Sequence, residues 1–197
     1  MIEWIGSKYG GWNIDLSLVP MGSTVISAGL GNDISFDEEL IKRRQCNIIG
    51  IDHTGLTLET INKKKLKNFT LIRKLLFVGD VAKAMNHRTN GATIYSGNAN
   101  TVINVVDLRD ILKEYKNISV VKMNIEGAEY PVITSIDTIT VPQILVRFHH
   151  RKPDVPFTFD NTIICITKLK GLGYTAKGMS NQQDKKIDYE VLFTYGK

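Results

Sequence analysis

Residues 24 to 52 read TVISAGLGNDISFDEELIKRRQCNIIGID. The run from Thr24 to Ala28 is short and apolar, which predicts a buried strand. In FDEELIKRR, Phe36, Leu40 and Ile41 fall on one side of a helix. Ser35 and Glu38 fit a Ser-x-x-Glu capping box at its start. Asn47 to Asp52 is a second apolar run and predicts a second strand. Strand, loop, helix and strand in this order make the unit from which parallel sheets are built. Gly29 and Gly31 lie in the loop, where they let the backbone turn tightly and approach a ligand. The helix that follows offers free N–H groups to a negatively charged group.

The same alternation continues outward from this unit. Residues from about Leu56 to Leu66 read as a second helix, and TLIRKLLFVG, ending at Gly79, as a third strand. LRDILKEY is a helix, ISVVKMNI a fourth strand and QILVRFHH a fifth. A further helix runs from about Asn161 to Leu172, closed by Gly171 or Gly173. YTAKGM and DYEVLFTY finish the chain as an antiparallel edge hairpin. The reading is an α/β fold in one domain, residues 1–197, with residues 1–22 as a lead-in and helices on both faces of a mostly parallel sheet. Ligands in such sheets bind beyond the carboxyl ends of the strands, where the strand order reverses. That directs attention to Gly29–Ser35, Asp52, Gly79 and Asp80, Asn124–Gly127 and Arg147–His150.

Composition narrows the class. A hydrophobic fraction of 43% with 23% charged residues is that of a water-soluble globular chain. No apolar stretch approaches the roughly 20 residues that span a bilayer, and no leader pattern is seen. Cys46 and Cys165 lie far apart and read as core residues, which suits a reducing, cytoplasmic compartment. The net charge is +5, with lysines at 63, 64, 65 and 67. This run reads as a solvated helix end, the alternative being contact with an anionic glycan, nucleic acid or membrane surface, and no aromatic residues interleave with it as single-strand stacking requires.

Asp52 ends the second strand about 20 residues after the glycine loop, where an acid accepts hydrogen bonds from the ribose of a bound nucleoside. The alternative is that it caps the next helix. Ser35 and Phe36 stand where a dinucleotide fingerprint wants its third glycine, which counts against NAD. No phosphate-binding Gly-x-x-x-x-Gly-Lys loop and no Gly-x-Ser-x-Gly elbow occur. A nucleoside site without either points to S-adenosylmethionine.

AGLGNDISFDEELI, GIDHT, KMNIEGAEYPVI and QILVRFHHR together resemble the FkbM-type methyltransferases, as does the lead-in YGGW. The likeness runs from about Ile5 to Phe193. It implies the Rossmann-like Class I methyltransferase fold, a seven-stranded sheet ordered 3-2-1-4-5-7-6, with S-adenosylmethionine as donor. It implies O-methylation of a sugar or another small hydroxylated acceptor. By the same resemblance Gly29, Gly31 and Asp33, with Asn32, shape the methionine side of the donor pocket. Asp52, with His53, holds the ribose, and Gly79 and Asp80 border the adenine. Glu126 and His149 face the transferred methyl, beside Asn124.

Three departures mark this chain. Asn124 stands where the family usually has Asp, Arg147 where it often has Glu, and His53 where it often has Pro. Asn124 cannot act as a base. Arg147 favours an anionic neighbour, such as Glu126 or an acidic substrate. Lys122, Asn124 and Glu126 share a face if the fourth strand runs that far. His149 shares a face with Arg147 and is the preferred base, while His150 faces the other way. Opposed faces argue against the two histidines joining Glu126 around a metal. Glu129 faces elsewhere and serves the next helix. Tyr9 and Trp12 either fold over the ligand or pack as an edge. Two other readings stay open: a non-catalytic binding module on the same fold, and a nucleic-acid methyltransferase. The second lacks the Asn/Asp-Pro-Pro-aromatic motif of base-amino methylation.

Overall fold

A computed structural model describes residues 1–79, 104–152, 155–178 and 189–196. Two short strands open the chain, β1 (Ile2–Ile5) and β2 (Trp12–Asp15), paired antiparallel. Then follow β3 (Thr24–Ala28), α1 (Ser35–Arg44), β4 (Asn47–Ile51), α2 (Gly55–Lys64), β5 (Phe69–Ile72) and β6 (Leu75–Leu76). After them come β7 (Val105–Val106), α3 (Leu108–Glu114), β8 (Ile118–Met123) and α4 (Glu129–Thr134). The chain closes with β9 (Gln143–Phe148), α5 (Phe159–Gly171), β10 (Tyr174–Gly178) and β11 (Tyr189–Tyr195).

The main sheet has seven strands in the order β5-β4-β3-β8-β9-β11-β10. Numbered by their order in the chain, these are 3-2-1-4-5-7-6, as the family resemblance implies. β5 through β9 pair in parallel, and β11 runs antiparallel to both β9 and β10. Alternate residues of the central strands feed two apolar clusters, one on each face of the sheet. Val25 and Val120 join one cluster, while Ile26 and Val121 join the other. Both faces are therefore covered, which is why these strands read as continuous apolar runs rather than alternating ones.

Several local expectations are corrected. The third strand, read over Thr70–Gly79, breaks after Ile72. Arg73 and Lys74 are exposed, and the Lys74 amide donates to the Ile72 carbonyl at 2.8 Å, a tight turn that leads β6 away to pair with β7. The capping box at Ser35 and Glu38 does not form. Helix α1 begins at Ser35 itself, its hydroxyl accepts from the Ser7 amide, and Glu38 pairs with Lys64. A capping box occurs instead at Thr158 and Asn161, where α5 starts two residues before the expected Asn161. Lys63, Lys64, Lys65 and Lys67 are exposed at the end of α2. Cys46 and Cys165 are free and buried, and burial pushes the Cys165 thiol up to about 12.

The lead-in is docked by one side chain. Gln143, fully buried at the start of β9, accepts from the Asp15 amide through Oε1 at 2.9 Å. Its Nε2 donates to the Asp15 carbonyl at 3.0 Å. The primary amide thus acts as one more rung between β2 and the main sheet. Gln143→Leu would remove both of these buried hydrogen bonds. It is expected to lower stability by about 1–3 kcal/mol in urea denaturation, at roughly 0.5–1.5 kcal/mol for each of the two hydrogen bonds lost.

Candidate functional site

Strands β3, β4 and β8 end at one edge, and a cavity of about 350 Å³ lies beyond them. That is a size suited to a small ligand. Its wall comes from the glycine loop 29–33, from Asp52–Thr54, from Lys74–Leu76 and from Asn124–Glu126. Tyr9 and Trp12 of the lead-in, with Lys122, Arg147 and Lys152, also line it.

Gly29 brings two strand ends together. It has φ +74, and a Cβ there would lie 1.8 Å from the Asn124 carbonyl oxygen. No residue with a side chain fits that approach. Its amide donates to the Ile51 carbonyl, and its carbonyl accepts from Lys122 Nζ at 2.9 Å.

Asp52 joins the loop to β4. Oδ2 accepts from the amides of Leu30 and Gly31 at 2.8 and 3.0 Å. Oδ1 accepts from the Thr54 amide and hydroxyl at 2.8 and 2.7 Å. Burial pushes the carboxyl up, but the bonds from Thr54, Gly31 and Leu30 outweigh it and hold Asp52 below its ordinary range. Asp52 is therefore more than the start of a helix cap: it binds Thr54, the residue before α2, and the glycine loop at once. Asp33 plays a similar part for the lead-in, accepting from the Ser7 hydroxyl at 2.6 Å and the Ser35 amide at 3.0 Å. Asn32 and His53 also line the cavity.

Beyond β8 the chain turns instead of continuing as a strand. β8 ends at Met123, Glu126 adopts φ +56 and Gly127 φ +103. The shared face expected for Lys122, Asn124 and Glu126 is therefore not a strand face, though all three reach the cavity. Asn124 donates its amide to the Ala28 carbonyl, and its buried Oδ1 has no hydrogen-bond partner among the described residues. Glu126 pairs through Oε2 with Lys152. Its Oε1 lies 3.6 Å from His149 Nε2.

His149 is not part of the cavity wall. Strand β9 ends at Phe148, so the alternation that would set His149 beside Arg147 stops one residue short. The ring is 1% exposed and lies beneath the 124–128 turn, with Nδ1 2.9 Å from Glu129 Oε1. His150 packs edge-on against Phe159, and its Nδ1 lies 2.9 Å from the Thr162 hydroxyl. Burial, with the charges of Arg151 and His149, holds His150 below its ordinary value.

Arg147 pairs with Glu190 at 3.2 Å rather than with Glu126, and its guanidinium lies 4.5 Å over the Trp12 ring. The two aromatic residues of the lead-in differ in burial. Trp12 is buried as part of the cavity floor, and Tyr9 is exposed at the rim. Lys122 is 3% exposed and faces the buried Asp37. Burial pulls Lys122 down and pushes Asp37 up, each against the attraction of the other. Gly79 does not line the cavity, and Asp80 lies outside the described residues. Leu75 and Leu76 of β6, which follow the turn at Arg73–Lys74, line it instead. Among the described residues no three His, Cys, Asp or Glu side chains are set to hold a metal ion.

Sequence reasoning missed the parts played by Lys122, Thr54, Glu129 and Lys152. A lysine inside the apolar run ISVVKM was the available signal for the first, since a buried lysine needs a partner. Nothing local marks Thr54 or Lys152.

The family model described as the methyltransferase FkbM domain matches residues 13–175. The chain belongs to the FkbM methyltransferase family. No curated protein matches it by sequence. Among solved structures, this FkbM domain is similar to the fibrillarin pre-rRNA processing protein of Methanococcus jannaschii, with TM-score 0.56, 10% identity, and coverage of 90% of this chain and 68% of that one. Precorrin-6y C5,15-methyltransferase from Geobacter metallireducens gives TM-score 0.52 at 11% identity, covering 91% and 84%. The methyltransferase domain of bacterial CtHen1-C gives 0.52 at 12% identity, covering 92% and 93%. At these identities the likeness is one of fold, and the fold is the Rossmann-like Class I methyltransferase fold.

The depressed Asp52 carboxyl sets an acid limit on the site. Its hydrogen bonds stabilise the fold fully above the ordinary Asp value of about 3.9 and are lost as pH falls through the lower folded value. Thermal melts from pH 7 to pH 2.5 are expected to show the melting temperature falling below about pH 4. Asp52→Asn is expected to be less stable at pH 7 and to show a flatter fall.

Proposed function

We propose that this FkbM methyltransferase domain, residues 1–197, transfers a methyl group from S-adenosylmethionine to the hydroxyl of a sugar or other small acceptor. One observation carries the reading: the glycine loop, the Asp52 carboxylate and the Asn124–Glu126 turn converge on a single cavity at the point where the strand order reverses. The wall suits the donor. It offers the apolar surface of Leu75, Leu76 and Ile51, a carboxylate for hydroxyls, and the buried Oδ1 of Asn124, without a partner among the described residues, for an N–H or O–H.

S-adenosylmethionine supplies a methyl group already activated on a sulfonium. The chain's own work is to hold, orient and take up a proton. Gly29, Gly31, Asn32 and Asp33 form the methionine side. Asp52 and His53 form the ribose side, where the Thr54 hydroxyl on Asp52 has a second partner in Thr57 at 3.0 Å and so can yield its place. Leu75 and Leu76 border the adenine. Glu126, the carboxylate on the wall, faces the acceptor hydroxyl, with Asn124 beside it. Asn124 can orient the acceptor but cannot remove its proton. His149 takes part from behind Glu126. The two free, buried thiols accord with a reducing, cytoplasmic setting.

Calorimetric titration with S-adenosylmethionine and S-adenosylhomocysteine tests the donor. Micromolar binding is expected for the natural chain, with a loss of at least about tenfold, or 1.4 kcal/mol, for Asp52→Ala. Gly29→Ala is expected to abolish binding, because the added Cβ forces the loop and the Asn124 turn apart. No binding by the folded natural chain would overturn the proposal in favour of a non-catalytic module.

A further inference from the structure

The lead-in carries a built loop that donor binding leaves without a task. Residues 7–11 turn about Ser7. Its hydroxyl donates to Asp33 Oδ2 at 2.6 Å and accepts from the amides of Tyr9 at 3.1 Å and Gly10 at 2.8 Å. A serine hydroxyl has one donor and two acceptor sites, and here each is used. The Ser7 amide donates to the Ser35 hydroxyl at 2.7 Å. The Ser7 carbonyl accepts from the Gly11 amide at 3.0 Å and from Trp4 Nε1 at 3.2 Å. Both glycines of the loop are required by space. A Cβ on Gly10 would lie 2.4 Å from the Asp33 carboxyl carbon, and one on Gly11 would lie 2.5 Å from the Ser7 carbonyl oxygen. The loop is thus clamped onto Asp33 of the glycine loop and onto the start of α1.

From this fixed backbone Tyr9 stands out. It is 78% exposed and yet lines the cavity. Among the described residues its ring meets no other ring and its hydroxyl has no hydrogen-bond partner. A single exposed aromatic residue on an open surface is ordinary. Here the ring is carried by a clamped loop at the mouth of a ligand cavity, so little backbone freedom is lost when a ligand covers it. Its position also has a direction. Asp33, which holds the loop, stands on the methionine side of the donor site, where the sulfur carries the methyl. Tyr9 therefore borders the approach of the acceptor, with Asn124, Glu126 and Lys152 on the same wall.

We propose that Tyr9 is an acceptor-contacting residue, and that the clamped loop presents its ring as a platform for one face of the acceptor's sugar ring. The proposal rests on the methyl-transfer reading. The face of an aromatic ring is negative. The C–H bonds on one face of a pyranose are polarised by the neighbouring oxygens and complement it. The hydroxyls project from the edge of the sugar and stay free for Glu126, Asn124 and Lys152. Tyr9 thus recognises the shape of the ring, and the polar wall orients the hydroxyl that receives the methyl.

Proton NMR of the tyrosine rings tests this, with and without S-adenosylhomocysteine. The probes are the methyl glycosides of glucose, galactose, mannose and rhamnose, with catechol as a flat aromatic comparison. Tyr9→Ala identifies the Tyr9 signals among the seven tyrosines of the chain. At least one glycoside is expected to shift them. Tyr9→Ala is expected to weaken the binding of that glycoside by about fivefold or more, and Tyr9→Phe to keep it within about twofold. Binding of S-adenosylhomocysteine is expected to stay within about twofold in both variants. Tyr9 signals that no glycoside moves overturn the platform, whether or not catechol moves them. So does a Tyr9→Ala chain that binds the glycoside as tightly as the natural chain. A loss of about tenfold in S-adenosylhomocysteine binding by Tyr9→Ala also overturns it, because the ring then belongs to the donor. The glycoside shifts judge the platform, whereas donor titration of the natural chain judges methyl transfer, so the two can fail separately.

Discussion

Asp52 sets four hydrogen bonds, two to the glycine loop after β3 and two to Thr54, and the cavity is organised around them. The amides of Leu30 and Gly31 would otherwise point into a partly dry space with no acceptor, a costly arrangement. The carboxylate satisfies both and also holds Thr54 at the start of α2. Gly29 can then lie against the Asn124 carbonyl, which fixes the turn after β8 relative to the glycine loop. A ligand wall made from three strand ends is rigid because each end is bonded to its neighbour.

Charge beneath the cavity follows a different logic. Lys122 and Arg147 rise from the central strands into a region covered by the lead-in, and each is matched by a buried acid, Asp37 or Glu190. Trp12 lies between them, close to both cations. The departure at Arg147 is thereby explained without an acidic ligand: the cation is matched by a residue on β11. Removing one member of such a buried pair leaves an uncompensated charge, so these positions are coupled.

The sheet was legible because its information is local. TVISA and NIIGID became strands over nearly the residues their apolar runs suggested. The alternation of strand and helix, with the right-handed crossover, leaves few topologies for a parallel sheet. The errors came where a strand's end depends on its neighbours. TLIRKLLFVG has the apolar content of one strand, yet it splits because β6 finds a partner in β7, far away in sequence. The capping box at Ser35 has the right residues, yet Ser7 and Lys64 compete for both side chains and win.

The seven strands of the main sheet and the edge at which a ligand would sit were legible in periodicity, glycine placement and strand handedness, whereas the β1–β2 and β6–β7 pairs were not. The sequence also named Gly29, Asp52, Asn124 and Glu126, because loop chemistry after a strand is local. Which groups face the cavity and which stand behind it depends on neighbours that meet only on folding. His149 and Glu129 are distinguished by a left-handed backbone at Glu126 and by a strand that stops at Phe148, and neither is written in a residue-by-residue alternation. Burial, hydrogen-bond saturation and the pairing of charges are properties of neighbours brought together across the chain, and those neighbours exist only once it has folded.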